Sequence, residues 1–338
     1  MKKPATIVDI ARALKISVST VSKALNDHPA IGEFTKERVK AKALEMNYVP
    51  NQAARSFQQK KTFQIGVILP SLRDPFYVET VCGMEAAAIK KNYFIFLCQT
   101  HEDQEREKTF VEMMRLKRVD AVIITITRLT SDLSHIHKLE EMGIPVMFLV
   151  RIPPTGVKLS VKNNVFDAAF QATNFLIARK HRRIAHIKGP DVLVTSQERL
   201  AGYKAALEAA GIAFDPEMVV ETDLSRGGNE SAIQSLINLK KPPTAVLAFK
   251  DNIALDAATW LKKEGPAGVK NPEWVGFGNS DTLRYLDNAL SASVEEQPYF
   301  LGEQAAEKVI EYLEKSENPD AEPESGHWQY SCKLVVFK

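Results

Sequence analysis

The sequence predicts an α + α/β chain: an N-terminal three-helix domain and a short hinge helix, followed by two doubly wound lobes on parallel sheets. Three observations predict it. Apolar residues recur at helical spacing through the first 47 positions, and strand-like runs alternate with helical stretches in two blocks beyond residue 62. Charge also divides unevenly. Residues 1–61 carry 12 Lys/Arg against 5 Asp/Glu, and the remaining residues carry 32 against 37. The overall net charge of +2 thus hides a basic head, which attracts phosphate backbones, and a mildly acidic body.

In the head, Thr6 followed by Asp9 is a cap pair, with the acid at the positive end of a helix. Ile7, Ile10, Ala11 and Leu14 make its apolar stripe. Lys15 stands in the tight turn where glycine is common, so mild strain is expected there. Ser17 caps a second helix whose Val21, Ala24 and Leu25 face inward, leaving Val18, Ser19, Ser22 and Lys23 outward. This is a helix-turn-helix format, in which the first turn of the second helix meets the major groove. Thr35 is expected to open a third helix, Lys36–Asn47, with Val39, Ala43, Leu44 and Met46 closing the core.

Asn51–Gln59 has helical composition but only about nine residues, below the roughly 12–15 at which an isolated helix holds in water. Phe57 on this segment needs burial, either on the body or as an apolar wedge between minor-groove base steps.

In the body, strand-like runs Gln64–Leu69, Phe94–Leu97, Ala121–Ile124 and Val146–Val150 alternate with helices near 77–91, 104–116 and 132–142. The pattern restarts with Arg183–Ile187, Ala245–Phe249 and Trp274–Phe277, among helices near 165–179, 197–210, 229–239 and 252–263. Pro298–Lys315 and Lys333–Phe337 are expected to re-enter both lobes. Two such lobes present the carboxyl ends of their strands to a shared cleft, where ligands bind. After the first strand, Ser71, Asp74, Phe76 and Tyr77 combine hydrogen-bonding groups with an aromatic platform suited to sugar rings.

Several function classes are disfavoured. The chain has no Gly-rich phosphate loop, no Gly-x-Ser-x-Gly elbow and no His-Glu-x-x-His, so it is not expected to be an enzyme or to need a cofactor. No metal is expected either. His135 and His137 diverge on a helix and read as surface residues, and the run Glu102-Asp103-Gln-Glu105-Arg-Glu107 reads as a solvated helix start. Cys82, Cys98 and Cys332 lack metal spacing and read as free thiols. With no apolar run near 18 residues and no secretion signal, the chain is expected to be cytoplasmic, with no membrane partner.

Thr6–Asn26, Tyr48-Val-Pro-Asn51, Ala53-Ala-Arg-Ser56, Ile65–Phe76, Arg199-Leu-Ala-Gly-Tyr203, Pro243–Ala248 and Val275-Gly-Phe277 together resemble the LacI/GalR family of transcriptional regulators. The resemblance spans nearly the whole chain and implies a periplasmic-binding-protein type 1 body. It also implies a homodimer, or a tetramer as a dimer of dimers, that binds near-palindromic operator DNA as a repressor. The implied domains are a DNA-binding domain at 1–48, a hinge helix and linker at 49–61, and an effector-binding and dimerisation domain at 62–338. Its lobes are expected at about 62–161 plus 295–327, and 162–294 plus 328–338. By position, Val18, Ser19 and Lys23 resemble base readers, while Thr6, Ser17, Ser22 and Asn26 resemble phosphate contacts. Asn51, Ala54 and Phe57 resemble the hinge contacts, with Phe57 where the family more often inserts leucine.

Thr195 and Arg199 match positions that grip a small-molecule effector. The family commonly has Asp at the places of Val150, Asn163 and Gly278, and often Asn at that of Lys250. A cleft with Arg151, Arg199 and Lys250 in place of those acids is expected to suit a sugar acid or sugar phosphate. The alternatives are a neutral sugar with Lys250 paired internally, and a sugar-binding protein without a DNA role.

Overall fold

The protein is described by a computed structural model over residues 5–49, 61–286, 290–316 and 324–337. It divides into a unit ending at Thr62 and a second from Phe63 onward, each considered by itself. The hinge positions Asn51, Ala54 and Phe57 lie outside the described residues.

In the head, α1 (Ile7–Leu14) opens with the expected capping box. Thr6 Oγ1 accepts from the Asp9 backbone N–H at 3.3 Å, and Asp9 Oδ2 accepts from the Thr6 N–H at 3.0 Å. Lys15 ends it at φ 53°, ψ 43°, the left-handed turn that a glycine would enter without strain. Ser17 caps α2 (Val18–Leu25), its Oγ accepting from Thr20 N–H at 3.0 Å. The third helix, α3 (Glu33–Glu45), starts two residues before the predicted Thr35. Extended Gly32 is its cap, and Glu33 in the first turn pairs with the buried Lys36 at 2.6 Å. Ile10, Val21, Ala24, Val39 and Ala43 form the core, with Ile7, Leu14, Leu25 and Met46 packed against it. Leu44 is 81% exposed, contrary to expectation. One residue beyond Ala43, it lies about 100° round the helix from the buried face.

Two six-stranded sheets organise the body. The first has order β11-β5-β4-β3-β1-β2, from β1 (Gln64–Leu69), β2 (Phe94–Gln99), β3 (Ala121–Ile124), β4 (Val146–Leu149), β5 (Leu159–Asn163) and β11 (Gly326–Tyr330). All its pairings are parallel. The second has order β12-β10-β9-β8-β6-β7, from β6 (Ile184–Lys188), β7 (Val219–Glu221), β8 (Ala245–Ala248), β9 (Glu273–Phe277), β10 (Ala292–Glu295) and β12 (Lys333–Val336). Here one expectation is corrected: β12 returns antiparallel to β10, because the chain arrives from the other lobe and needs no crossover helix. Both strands of the β5–β11 pair, Leu159–Asn163 and Gly326–Tyr330, belong whole to the first sheet.

Helices α4 (Pro75–Lys90), α5 (Gln104–Lys117), α6 (Ser134–Glu141) and α11 (Pro298–Ser316) cover the first sheet. The second carries α7 (Val165–Ala178), α8 (Val194–Ala209), α9 (Arg226–Ile237) and α10 (Asp251–Glu264). Close contact between α4 and α11 depends on Gly83 and Gly302, since a Cβ on either would run into a carbonyl oxygen of the other helix, that of Tyr299 or Thr80. Strand order reverses at β1/β3 in one sheet and at β6/β8 in the other. Those switch points locate a ligand crevice beyond the strand ends, at the loops after β1, β3, β6 and β8.

Candidate functional sites

On the head, Val18, Ser19, Lys23 and Asn26 are exposed along α2, and Ser22 is half-buried. Val18 and Ser19 occupy the first turn, whose backbone N–H groups carry the positive end of the helix. Lys23 has no acidic partner among the described residues. The remaining polar groups are partly committed. Thr6 donates its hydroxyl to Asp9 at 2.6 Å, Ser17 spends its oxygen on the cap, and Asn26 Nδ2 donates to Ser22 O at 3.0 Å.

In the body, Asp74 caps α4, its Oδ1 accepting from Phe76 N–H at 3.2 Å. Ser71 Oγ accepts from Arg73 N–H at 3.1 Å. Phe76 meets Tyr77 edge-on at 5.3 Å between centroids. The pair is less of an open platform than expected, because the Tyr77 ring belongs to the core and is only 7% exposed. Burial pushes its hydroxyl up to about 12, offset in part by Arg151 and reinforced by Asp74, Glu102 and Glu296.

Each expected cation of the cleft has an acidic partner. Arg151 donates to both oxygens of Glu102, at 2.8 and 3.0 Å, and to Ile126 O at 2.9 Å. Arg199, 3% exposed, donates to Glu296 Oε1 at 2.7 Å and to the Phe249 carbonyl, with its guanidinium between the Phe249 and Phe277 rings. Lys250 bridges the cleft to Asp74. A strongly cationic pocket is therefore not what the residues build. Glu102, Glu296 and Asp251 return carboxylates to the cleft, although the acid that pairs with Lys250 is Asp74 and not Asp251. Asp251 accepts from Ser293 Oγ at 2.7 Å and Ser280 N–H at 3.1 Å, and burial raises its carboxyl. Gly278 beside it has φ +121°, a conformation that disfavours the aspartate common at this place in the family. Thr195 is half-buried at the start of α8.

These contacts differ in strength. Removing one partner of a buried pair such as Arg199–Glu296 costs about 3–5 kcal/mol, whereas an exposed pair contributes about 0–1 kcal/mol. Lys250 and Asp74 keep 29% and 31% of their side-chain exposure, so theirs is the weakest bond of the three.

Asn163 lies where the chain crosses between lobes. Its Nδ2 donates to Glu296 O and reaches Cys332 Sγ at 3.5 Å, and so touches all three crossovers. Its Oδ1 is buried without a hydrogen-bond partner among the described residues. Two other expectations are corrected below the cleft. Glu107 is fully buried rather than solvated, accepting from Thr127 N–H at 2.7 Å and Thr130 Oγ1 at 2.8 Å and bonding His135 Nε2 at 3.0 Å. His135 is correspondingly 10% exposed, not a surface residue. Both sit where α5 and α6 converge beneath the loop after β3, which a one-dimensional charge pattern does not register.

A family model described as "Periplasmic binding proteins and sugar binding domain of LacI family" matches residues 62–326, and one described as "Bacterial regulatory proteins, lacI family" matches residues 6–51. The chain belongs to the LacI family. Among similar LacI-family proteins, the transcriptional repressor CytR of Escherichia coli K12 is 29% identical over 333 residues, covering 98% of this chain and 95% of that one. The repressor PurR of Vibrio atlanticus is 28% identical over 314 residues, 93% of each chain. A Lac repressor dimer bound to operator and the anti-inducer ONPF superposes with a TM-score of 0.83 over 98% of both chains at 23% identity, a likeness of fold. A complex of the regulator CelR with cellobiose gives 0.72, again over 98% of both, at 24%. The chain is thus a LacI-family transcriptional regulator with a helix-turn-helix head and a body of the family's sugar-binding type.

Proposed function

We propose that this chain is a ligand-responsive repressor that binds a near-palindromic operator as a dimer and takes a sugar or acidic sugar derivative in the interlobe cleft. The observation that carries the reading is the exposed row Val18, Ser19 and Lys23 on a correctly capped α2, the first two in its first turn and Lys23 in its last. Lys23 donates to a guanine O6/N7 edge as a point charge, and Val18 meets a thymine methyl. Residues 1–48 form the DNA-reading domain, 49–61 the hinge with Asn51, Ala54 and Phe57 on DNA, and 62–338 the sensing and dimerising body.

Self-association is supported by apolar side chains left outside on the first lobe. Phe94 and Phe96 on edge strand β2 are exposed, as are Ile89 on α4 and Leu116 on α5. Ligand sensing is supported by hydrogen-bonding groups from both lobes at the two switch points, among them Ser71, Asp74, Thr195 and Lys250. The ligand acts by binding two lobe arrangements with different affinity, which changes the spacing of the DNA-reading heads.

Selection of duplexes from a random library by the full chain tests this reading. Enrichment of two inverted half-sites is expected. Retention of DNA without sequence preference overturns operator recognition and leaves a sugar-binding protein with a basic head.

A further inference from the structure

We propose that Lys250 is the exchangeable cation of the cleft and Asp74 its internal placeholder. An anionic effector group, carboxylate or phosphate, takes Lys250 from Asp74 and so unlatches the two lobes. The proposal rests on the cleft being the effector site and adds the ligand's charge and the bond that its arrival breaks.

The three cations differ in what they can give up. Arg151 is fixed by two carboxylate contacts and a carbonyl within the first lobe. Arg199 is held by Glu296 and a carbonyl between two aromatic rings. Neither can turn to a ligand without giving up a carboxylate and a carbonyl at once. Lys250 differs in each respect. Among the described residues its ammonium pairs with Asp74 alone, its side chain is 29% exposed, and three freely rotating donors accept a new anion without a fixed fork geometry.

Its partner also loses little. Asp74 Oδ1 remains occupied by the Phe76 N–H at the start of α4, and its side chain is 31% exposed, so water replaces the ammonium at Oδ2. Asp74 and Lys250 stand 176 residues apart, at the first turns of α4 in one lobe and α10 in the other. Each follows a strand at a switch point, β1 and β8. An anion on Lys250 therefore competes with a bond between lobes. A neutral polyol has no charge with which to displace the carboxylate and leaves the latch closed.

Hydrogen exchange by mass spectrometry on the full chain tests this, read at residues 75–80 and 251–256. Lys250→Gln is expected to speed exchange at 75–80, in the opposite lobe from the substitution, by about two- to fivefold, the ratio corresponding to an exposed pair. Lys250→Arg, which keeps the pair, is expected to retain wild-type protection. Inorganic phosphate, D-gluconate and D-glucose 6-phosphate serve as anionic probes, with D-glucose as the neutral control. At least one anion is expected to speed exchange at 75–80 while slowing it at 251–256 in wild type and to do neither in Lys250→Gln; the arms separate carboxylate from phosphate.

Unchanged exchange at 75–80 in Lys250→Gln overturns the latch. Equal anion effects with and without Lys250, effects of D-glucose matching those of the anions, or no effect of any anion at millimolar concentration overturn the displacement. Because the readout needs no DNA, a chain that exchanges as expected but whose operator binding ignores every ligand refutes the regulatory reading alone.

Discussion

Glu102 holds Arg151 by both carboxylate oxygens, at 2.8 and 3.0 Å, and a third contact from the Arg128 N–H reaches Glu102 Oε2 at 2.9 Å. The pair joins the loop after β2 to the end of β4 and fixes one wall of the cleft. Burial alone would push the Glu102 carboxyl up; the hydrogen bond and charge of Arg151, with the Arg128 N–H, instead hold it below its usual 4.5. A depressed folded value means that stability is present above the unfolded pKa and lost as pH falls through the folded one.

Arg151→Ala should therefore cost about 2–4 kcal/mol near pH 7, since it strands a partly buried carboxylate. The gap from wild type should narrow below about pH 4.5, the ordinary value of the group. Urea unfolding at both pH values measures it, and an unchanged gap in acid would show that Glu102 is not the partner that matters.

His186 supplies a second acid-sensitive contribution. It is fully buried against Tyr203, with Nδ1 bonded to the Leu247 carbonyl at 2.9 Å, and burial lowers it from 6.5 to about 4. The native state resists a proton that the unfolded chain accepts, so stability should fall by about 3 kcal/mol between pH 6.5 and pH 4. His186→Gln should remove this part of the slope. Parallel wild-type and variant profiles across that window would contradict it.

Lys15 sits in the left-handed region at φ 53°. Lys15→Gly should stabilise the head by about 0.5–1 kcal/mol, seen as a higher melting temperature of its calorimetric transition in the full chain. A lower melting temperature would mean that the unfolded-state entropy of glycine outweighs the relieved strain.

Lys23→Ala should lower the ratio of operator to random-sequence affinity by about tenfold or more, as expected for loss of one base contact of 1–3 kcal/mol. Competition by fluorescence anisotropy measures that ratio. An equal loss on both DNAs would make Lys23 a phosphate contact instead.

Much of this architecture was legible in sequence because it rests on local rules. Thr6 and Ser17 announce their caps, Val21 and Ala24 their buried face, and Ile65–Leu69 its fully buried strand. Short strands such as Val219–Glu221 and Gly326–Tyr330 escaped because three to five residues are too few to set a strand apart from a loop, even where burial alternates as it does along 326–330. The family resemblance pointed to Arg199 and Lys250, but their partners were beyond reach. Glu296 lies 97 residues from Arg199, and Asp74 lies 176 from Lys250, so only the folded lobes bring them together. Glu102 and Glu107 looked like one solvated charge run, although their roles divide between a cleft wall and a buried network.

Ligand control of operator binding is tested most directly by titrating labelled selected operator with the full chain at fixed salt, with and without neutral sugars, sugar acids and sugar phosphates. At least one of these ligands is expected to shift the apparent Kd by about 5- to 150-fold, the usual range of coupling between two sites. An operator Kd unmoved by every ligand, while one of them demonstrably binds the body, would contradict that control.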